Sequence, residues 1–115
     1  MGSIEIRGVE GVSILEVAGN LTDDREIDDL RMAVEFLIDK ADARKVIVDI
    51  KRVLILSINF LHELARLEIE IKARDGEIVL VDSPLMALEH RCFHMNIKVP
   101  VFYERKKALV HFLII

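Results

Sequence analysis

His90, Cys92 and His94 are the residues of this sequence whose types and spacing come nearest to a metal site. His90 and His94 are four apart, so they share a helical face and two imidazoles there could grip one ion. Cys92 projects elsewhere on that helix, toward Leu85 and Leu88, and no third ligand lies near. The stretch therefore reads as two surface histidines beside a core cysteine, and no metal is expected. His62-Glu63 begins like a zincin motif, but Arg66 stands where the second histidine is required. Glu63 and Arg66, three apart, read instead as a surface ion pair.

The remaining polar groups have structural explanations. Asp23-Asp24 and Asp28-Asp29 flank a helix start, where carboxylates offset the positive end of the helix dipole. Ser83 precedes Pro84 and lies outside any G-x-S-x-G pattern, so it reads as a helix cap rather than a nucleophile. Neither glycine-rich phosphate-loop pattern occurs, and the five glycines sit in turns. No nucleophile, base and oxyanion donor converge. We expect no catalytic residue, no cofactor and no enzyme.

Two features resist such explanations. Ser57-Ile58-Asn59 marks the point where a buried-looking strand meets a helix start. In open α/β sheets, partners and ligands use the carboxyl ends of strands, and a helix N-terminus adds free N–H groups and a positive dipole. Ile69 falls almost opposite Phe60 on the helix that follows, among Arg66, Glu68 and Glu70, which predicts an exposed apolar side chain.

The elements that must position these residues follow from periodicity. Ile4 to Arg7 alternates, Gly8 to Gly11 turns, and Val12 to Val17 returns as a second strand, making a hairpin. Gly19 to Asp23 breaks the pattern, with Thr22 or Asp23 as the cap of a first helix. Ile27, Leu30, Val34, Leu37, Ile38 and Ala41 repeat at helical spacing. Lys45 to Ile50 reads as a buried strand that continues apolar to Leu56. Phe60, Leu64, Leu67 and Ile71 give a second helix one buried face, ended by Gly76 in a left-handed cap. Ile78 to Val81 is another buried strand. Leu85, Leu88, Cys92 and Met95 stripe a third helix, Lys98 to Tyr103 reads as a short last strand, and a final helix runs from Glu104. A hairpin followed by helix–strand alternation implies α/β architecture: a mixed sheet of about five strands packed by about four helices.

Length and composition narrow the function classes. A chain of 115 residues fits one domain, spanning 1–115, and 52% hydrophobic residues suffice for a core built mainly of Leu, Ile and Val. A net charge of −4 argues against nucleic acid, and Arg105-Lys106-Lys107 reads as the solvated face of the last helix. One cysteine cannot form an internal disulfide. The start carries neither the apolar region of a signal peptide nor the myristoylation pattern, and the longest apolar run, Val53 to Leu61, is too short to span a bilayer. The reading is a cytoplasmic protein with no membrane partner. Abundant Ile, Glu, Lys and Arg beside few Gln point to a heat-loving source. The apolar terminus Ala108 to Ile115 is expected to pack on the core or to join two copies in a homodimer.

The order and spacing of these segments resemble a STAS domain of the bacterial anti-sigma factor antagonist type, over nearly the whole chain. "VSILEVAGNLT" (12–22) is similar to the family's second strand and Gly-x-Leu-Asp loop, with Thr22 in place of Asp. "KVIVDI" (45–50) and "GEIVLV" (76–81) are similar to its central and fourth strands. The family's Asp-Ser-Ser-Gly-Leu signature reads here Ser57-Ile58-Asn59-Phe60-Leu61. Only the Leu is kept, and Asn59 stands at the usual phosphoacceptor serine. The resemblance implies a protein that binds an anti-sigma factor or serine kinase-like partner through Asn20, Thr22, Ser57, Ile58, Asn59, Phe60, Leu61 and Glu63. Asn59 has no hydroxyl to phosphorylate but can cap the helix; Ser57 is a displaced acceptor candidate. The alternative is a small-molecule sensor or scaffold module with Ile58 and Phe60 shaping an apolar pocket.

Overall fold

The computed structural model describes residues 3–83 and 88–113. Strands β1 (Ser3–Val9) and β2 (Val12–Leu21) form an antiparallel hairpin whose register runs unbroken from Ser3↔Ala18 to Val9↔Val12. Its two-residue loop, Glu10-Gly11, has positive φ at both positions (49° and 82°), the geometry of a type I′ turn that matches strand twist. Helix α1 (Asp24–Asp39) follows, then β3 (Lys45–Leu56), α2 (Ile58–Lys72), β4 (Glu77–Val81), α3 (Leu88–His94), β5 (Val101–Phe102) and α4 (Arg105–Leu113). The sheet order is β1-β2-β3-β4-β5, antiparallel at β1–β2 and parallel elsewhere. This is the mixed α/β architecture expected from the sequence.

Alternation along the strands divides the core in two. Val46, Val48 and Ile50 of β3 and Ile78 and Leu80 of β4 pack with Ile27, Leu30, Val34, Phe60, Leu64, Leu67, Leu88 and Cys92 from α1, α2 and α3. Ile47, Val79 and Val81 face the other way and, with Val12 and Ile14, meet Ala108 and Phe112 of α4. The C-terminal segment thus packs on the core; Ile114 and Ile115 lie outside the described residues. So do Pro84 and Leu85 of the expected third helix, whose remaining stripe, Leu88, Cys92 and Met95, does pack inward.

Several local expectations need correction. Gly19-Asn20-Leu21 does not end the strand: β2 continues through it, bent by register shifts between Glu16 and Ala18 and between Gly19 and Asn20, with Gly19 at φ 93°. Asp23 rather than Thr22 caps α1, in a capping box with Glu26. Asp75, at φ 59°, takes the left-handed position after α2. Gly76 is needed for a different reason: a Cβ there would lie 2.7 Å from Ile71 Cγ1 and 2.8 Å from the Arg44 carbonyl oxygen. The last strand shrinks to Val101–Phe102. Arg105 is not simply solvated, for it pairs with Asp49 and Glu16 across the sheet.

Candidate functional site

Strands β2 and β3 end together on one edge of the sheet, where Leu21 of β2 pairs with Leu56 of β3. The Ser57 N–H donates to the Leu21 carbonyl at 2.9 Å, tying the start of α2 to the loop before α1. That bond brings the expected site segments, 20–22 and 57–63, to the same edge.

Within the second segment, burial separates two roles. Phe60 and Leu61 are each 1% exposed and belong to the core. They present no surface to a partner; of the two residues expected to shape an apolar pocket, Phe60 is buried and Ile58 exposed. Ile58 and Asn59 are exposed. Ser57 is the N-cap of α2, with extended backbone (φ −91°, ψ 163°), and Asn59 lies one residue inside the helix, so it does not cap it. The Ser57 hydroxyl makes no capping bond; Oγ is buried and without a hydrogen-bond partner. No acidic residue occupies the first turn of α2. The positive end of its dipole therefore has no carboxylate within its own first turn.

The α1 terminus opposite is built the other way. Glu26 Oε1 accepts from the Thr22 N–H and hydroxyl, both at 3.2 Å, and from the Asp23 N–H at 3.3 Å, while Asp23 Oδ1 accepts from the Glu26 N–H at 2.9 Å. The N–H groups of Thr22, Asp23 and Glu26 in that turn are engaged by its own carboxylates. Asn20, half-buried on β2 opposite Ile55, leaves its Oδ1 buried and unpartnered. It lines a cleft of about 200 Å³ between the start of β1 and the start of α1, with Ile4, Val17, Leu21, Glu26 and Asp29. Glu63 is held by Arg66, whose Nη2 and Nε donate to its Oε1 at 2.7 and 3.0 Å, the surface pair expected from their spacing.

Sequence reasoning missed the most exposed apolar residues of this edge. Leu54 is 77% and Ile55 57% exposed, and with Ile58 at 55% they place three large apolar side chains around the turn. The signal was available: Val53 to Leu56 are four consecutive apolar residues, and a strand cannot bury all of them against helices on one face. Ile69 is exposed as expected, at 70%. His90 and His94 meet through their Nε2 atoms at 3.1 Å on the exposed side of α3, away from buried Cys92. Among the described residues no group of three or more His, Cys, Asp or Glu side chains could hold a metal ion. Among them, too, no helix is long and apolar enough to cross a membrane.

No protein-family model matches the chain, and no curated protein matches its sequence. Solved structures do match its shape. An anti-sigma factor antagonist from Mycobacterium paratuberculosis superposes with a TM-score of 0.80 at 19% identity, covering 96% of this chain and 93% of that one. The unphosphorylated form of the anti-sigma factor antagonist SpoIIAA gives 0.73 at 13% identity, over 96% and 97%. A STAS domain of an anti-sigma factor antagonist from Rhodobacter sphaeroides gives 0.56 at 18%, over 70% and 85%. The chain has the STAS fold. The STAS frame accounts for the short hairpin, the helix–strand alternation and the turn at Ser57.

Proposed function

We propose that this STAS-fold chain, one domain over 1–115, is a regulator of the anti-sigma factor antagonist kind. In this reading it acts in the cytoplasm of a heat-loving bacterium and governs transcription by binding an anti-sigma factor or serine kinase-like partner. The observation that carries the reading is the pairing, at one sheet edge, of exposed Leu54, Ile55 and Ile58 with a helix N-terminus that has no acidic residue in its first turn. Exposed apolar side chains beside a positive dipole end fit a partner surface that brings an apolar contact and a carboxylate. Asn20, Thr22, Asn59 and Glu63 form the polar border of this surface. Phe60 and Leu61 support it from below.

Binding in this reading is constitutive. The position of the family's acceptor serine is Asn59, which offers no hydroxyl. Ser57 does, but its Oγ is buried beneath the turn, out of reach of a kinase active site. A phosphate, with a charge near −2, would be the usual way to abolish such a fit, and this turn lacks an accessible acceptor for it. The test is capture of partners from a lysate of the source cell by the intact chain and by Ile58→Asp. Recovery of an anti-sigma factor or serine kinase-like protein by the former and not the latter is expected. Recovery of neither class sinks the proposal.

A second reading, a small-molecule sensor or scaffold module, is favoured by one observation: the cleft beside Asn20, with its unpartnered Oδ1. Thermal-shift screening against nucleotides and lipids separates the two, since a flat response removes the sensor.

A further inference from the structure

β1 lies at the end of the sheet order, so among the described residues one of its backbone edges has no strand beside it. The hairpin turn determines which groups that edge offers. Across a two-residue type I′ loop the flanking residues, Val9 and Val12, bond to each other. Counting back, Val9, Arg7, Glu5 and Ser3 direct their N–H and C=O groups to β2. Those of Ile4, Ile6 and Gly8 point away from the sheet. Natural edge strands are commonly protected by a proline, a lysine or a bulge. β1, with the sequence SIEIRGV, contains neither proline nor lysine, and its register with β2 has no break.

The side chains of this edge are self-complementary. Glu5 and Arg7 share one face, and Ile4 and Ile6 the other. Ile6 is 47% exposed, and the side chains of Glu5 and Arg7 are 68% and 58% exposed. Placing a second β1 antiparallel to the first, with Ile6 opposite Ile6, puts each Glu5 directly opposite an Arg7 on one face. The two isoleucines touch at the axis on the other. Ile4 then faces Gly8, which leaves room for its side chain. A slip of two residues in either direction places Glu5 opposite Glu5 or Arg7 opposite Arg7, and like charges directly opposite are destabilising. The charges that would repel a random strand thus select one register.

We propose that the β1 edge is a homodimer interface, in which a second copy of this chain continues the sheet through a two-fold axis at Ile6. The arrangement is isologous: the same seven residues serve both sides, and outward groups of Ile4, Ile6 and Gly8 bond with those of their counterparts. It places the surface around Ser57 outside the contact strand, so it stands or falls separately from the proposed function.

Sedimentation equilibrium of the full chain tests it. The wild type is expected to sediment with the mass of two chains. Glu5→Arg and Arg7→Glu each place like charges opposite one another twice, and each is expected to weaken self-association about tenfold or more. Mixed together, the two variants regain opposite charges at every pair and are expected to form a heterodimer. Because Arg7 also contacts Glu16 at 3.0 Å, Ile6→Pro provides a variant independent of it. That substitution removes an outward N–H while leaving the β1–β2 ladder intact. Circular dichroism is expected to show it folded, and sedimentation to show it monomeric. A monomeric wild type, a mixture that fails to associate, or a folded Ile6→Pro protein that still dimerises would each overturn the proposal.

Discussion

Arg105, at the first position of α4, reaches across the sheet to Asp49 of β3: Nη2 and Nε donate to the same oxygen, Oδ2, at 2.7 and 3.0 Å. Asp49 is 6% exposed and also accepts the Lys51 N–H at 3.0 Å. Arg105 Nη1 forms an ion pair with Glu16 Oε1 at 3.2 Å, and that guanidinium draws the Glu16 carboxyl below its ordinary range. One guanidinium therefore joins β2, β3 and α4.

Arg105→Ala leaves Asp49 as a buried charge without its cation. A hydrogen bond to a charged group contributes about 1.5–3 kcal/mol, and Arg105 is a third exposed, so a loss of about 2 kcal/mol in urea unfolding is expected. Arg105→Lys keeps the charge without the fork and should recover only part of it. An Arg105→Ala protein as stable as wild type would show that the pair carries no net energy.

Asp82 predicts a pH effect of defined sign. It is fully buried after β4; Oδ2 accepts the Leu88 N–H at 3.3 Å and Oδ1 has no partner. Burial raises its pKa, and the backbone N–H groups of Ser83 and Leu88 pull part of the way back. With the folded pKa above the unfolded one, its contribution to stability is full below the ordinary Asp range and is lost as pH rises through the folded value. Asp82→Asn keeps an acceptor and removes the charge. Its melting temperature should exceed that of wild type at neutral pH, with the gain vanishing near pH ~4. A gain that is the same at both pH values would refute the assignment.

The two helix starts should respond oppositely to alanine. Asp23→Ala breaks a working capping box and should cost about 1 kcal/mol. Ser57→Ala removes a hydroxyl that bonds to nothing and should change stability by less than ~0.5 kcal/mol. Denaturant midpoints of both variants decide it, and a Ser57→Ala loss equal to that of Asp23→Ala would mean the hydroxyl caps the helix in solution.

Gly76→Ala should destabilise by about 1–3 kcal/mol, because the added methyl collides with the Arg44 carbonyl as well as with the Ile71 side chain. A flexible side chain could yield, but the Arg44 backbone is fixed by the Glu77 N–H at 2.8 Å. Calorimetry of the variant checks this, and an unchanged melting temperature would contradict the contact.

The frame was legible in the sequence because apolar periodicity reports directly on burial. Ile27, Leu30, Val34, Leu37 and Ile38, and likewise Phe60, Leu64, Leu67 and Ile71, are buried as their spacing demands. What escaped depends on geometry without period. The bulged extension of β2 through Gly19 looks like a strand break because glycine marks both. The Asp49–Arg105 contact joins residues 56 apart, which no local pattern encodes. At the site, Asn59 looked like a cap because it is a good cap residue. The helix begins two residues earlier than an Asn59 cap requires, so the cap falls to Ser57 and the surface to Ile58 and Asn59.

Each strand of this sheet pairs only with its neighbours in sequence, so spatial order repeats chain order. No strand must wait for a distant partner before it can add to the sheet, which keeps the loop-closure entropy of each step small. The hairpin can form as soon as it leaves the ribosome, and each later helix–strand unit then finds a finished edge to join. Arg105 of α4 reaches back across several elements, to β2 and β3, so this helix can lock the earlier ones in place once they have formed.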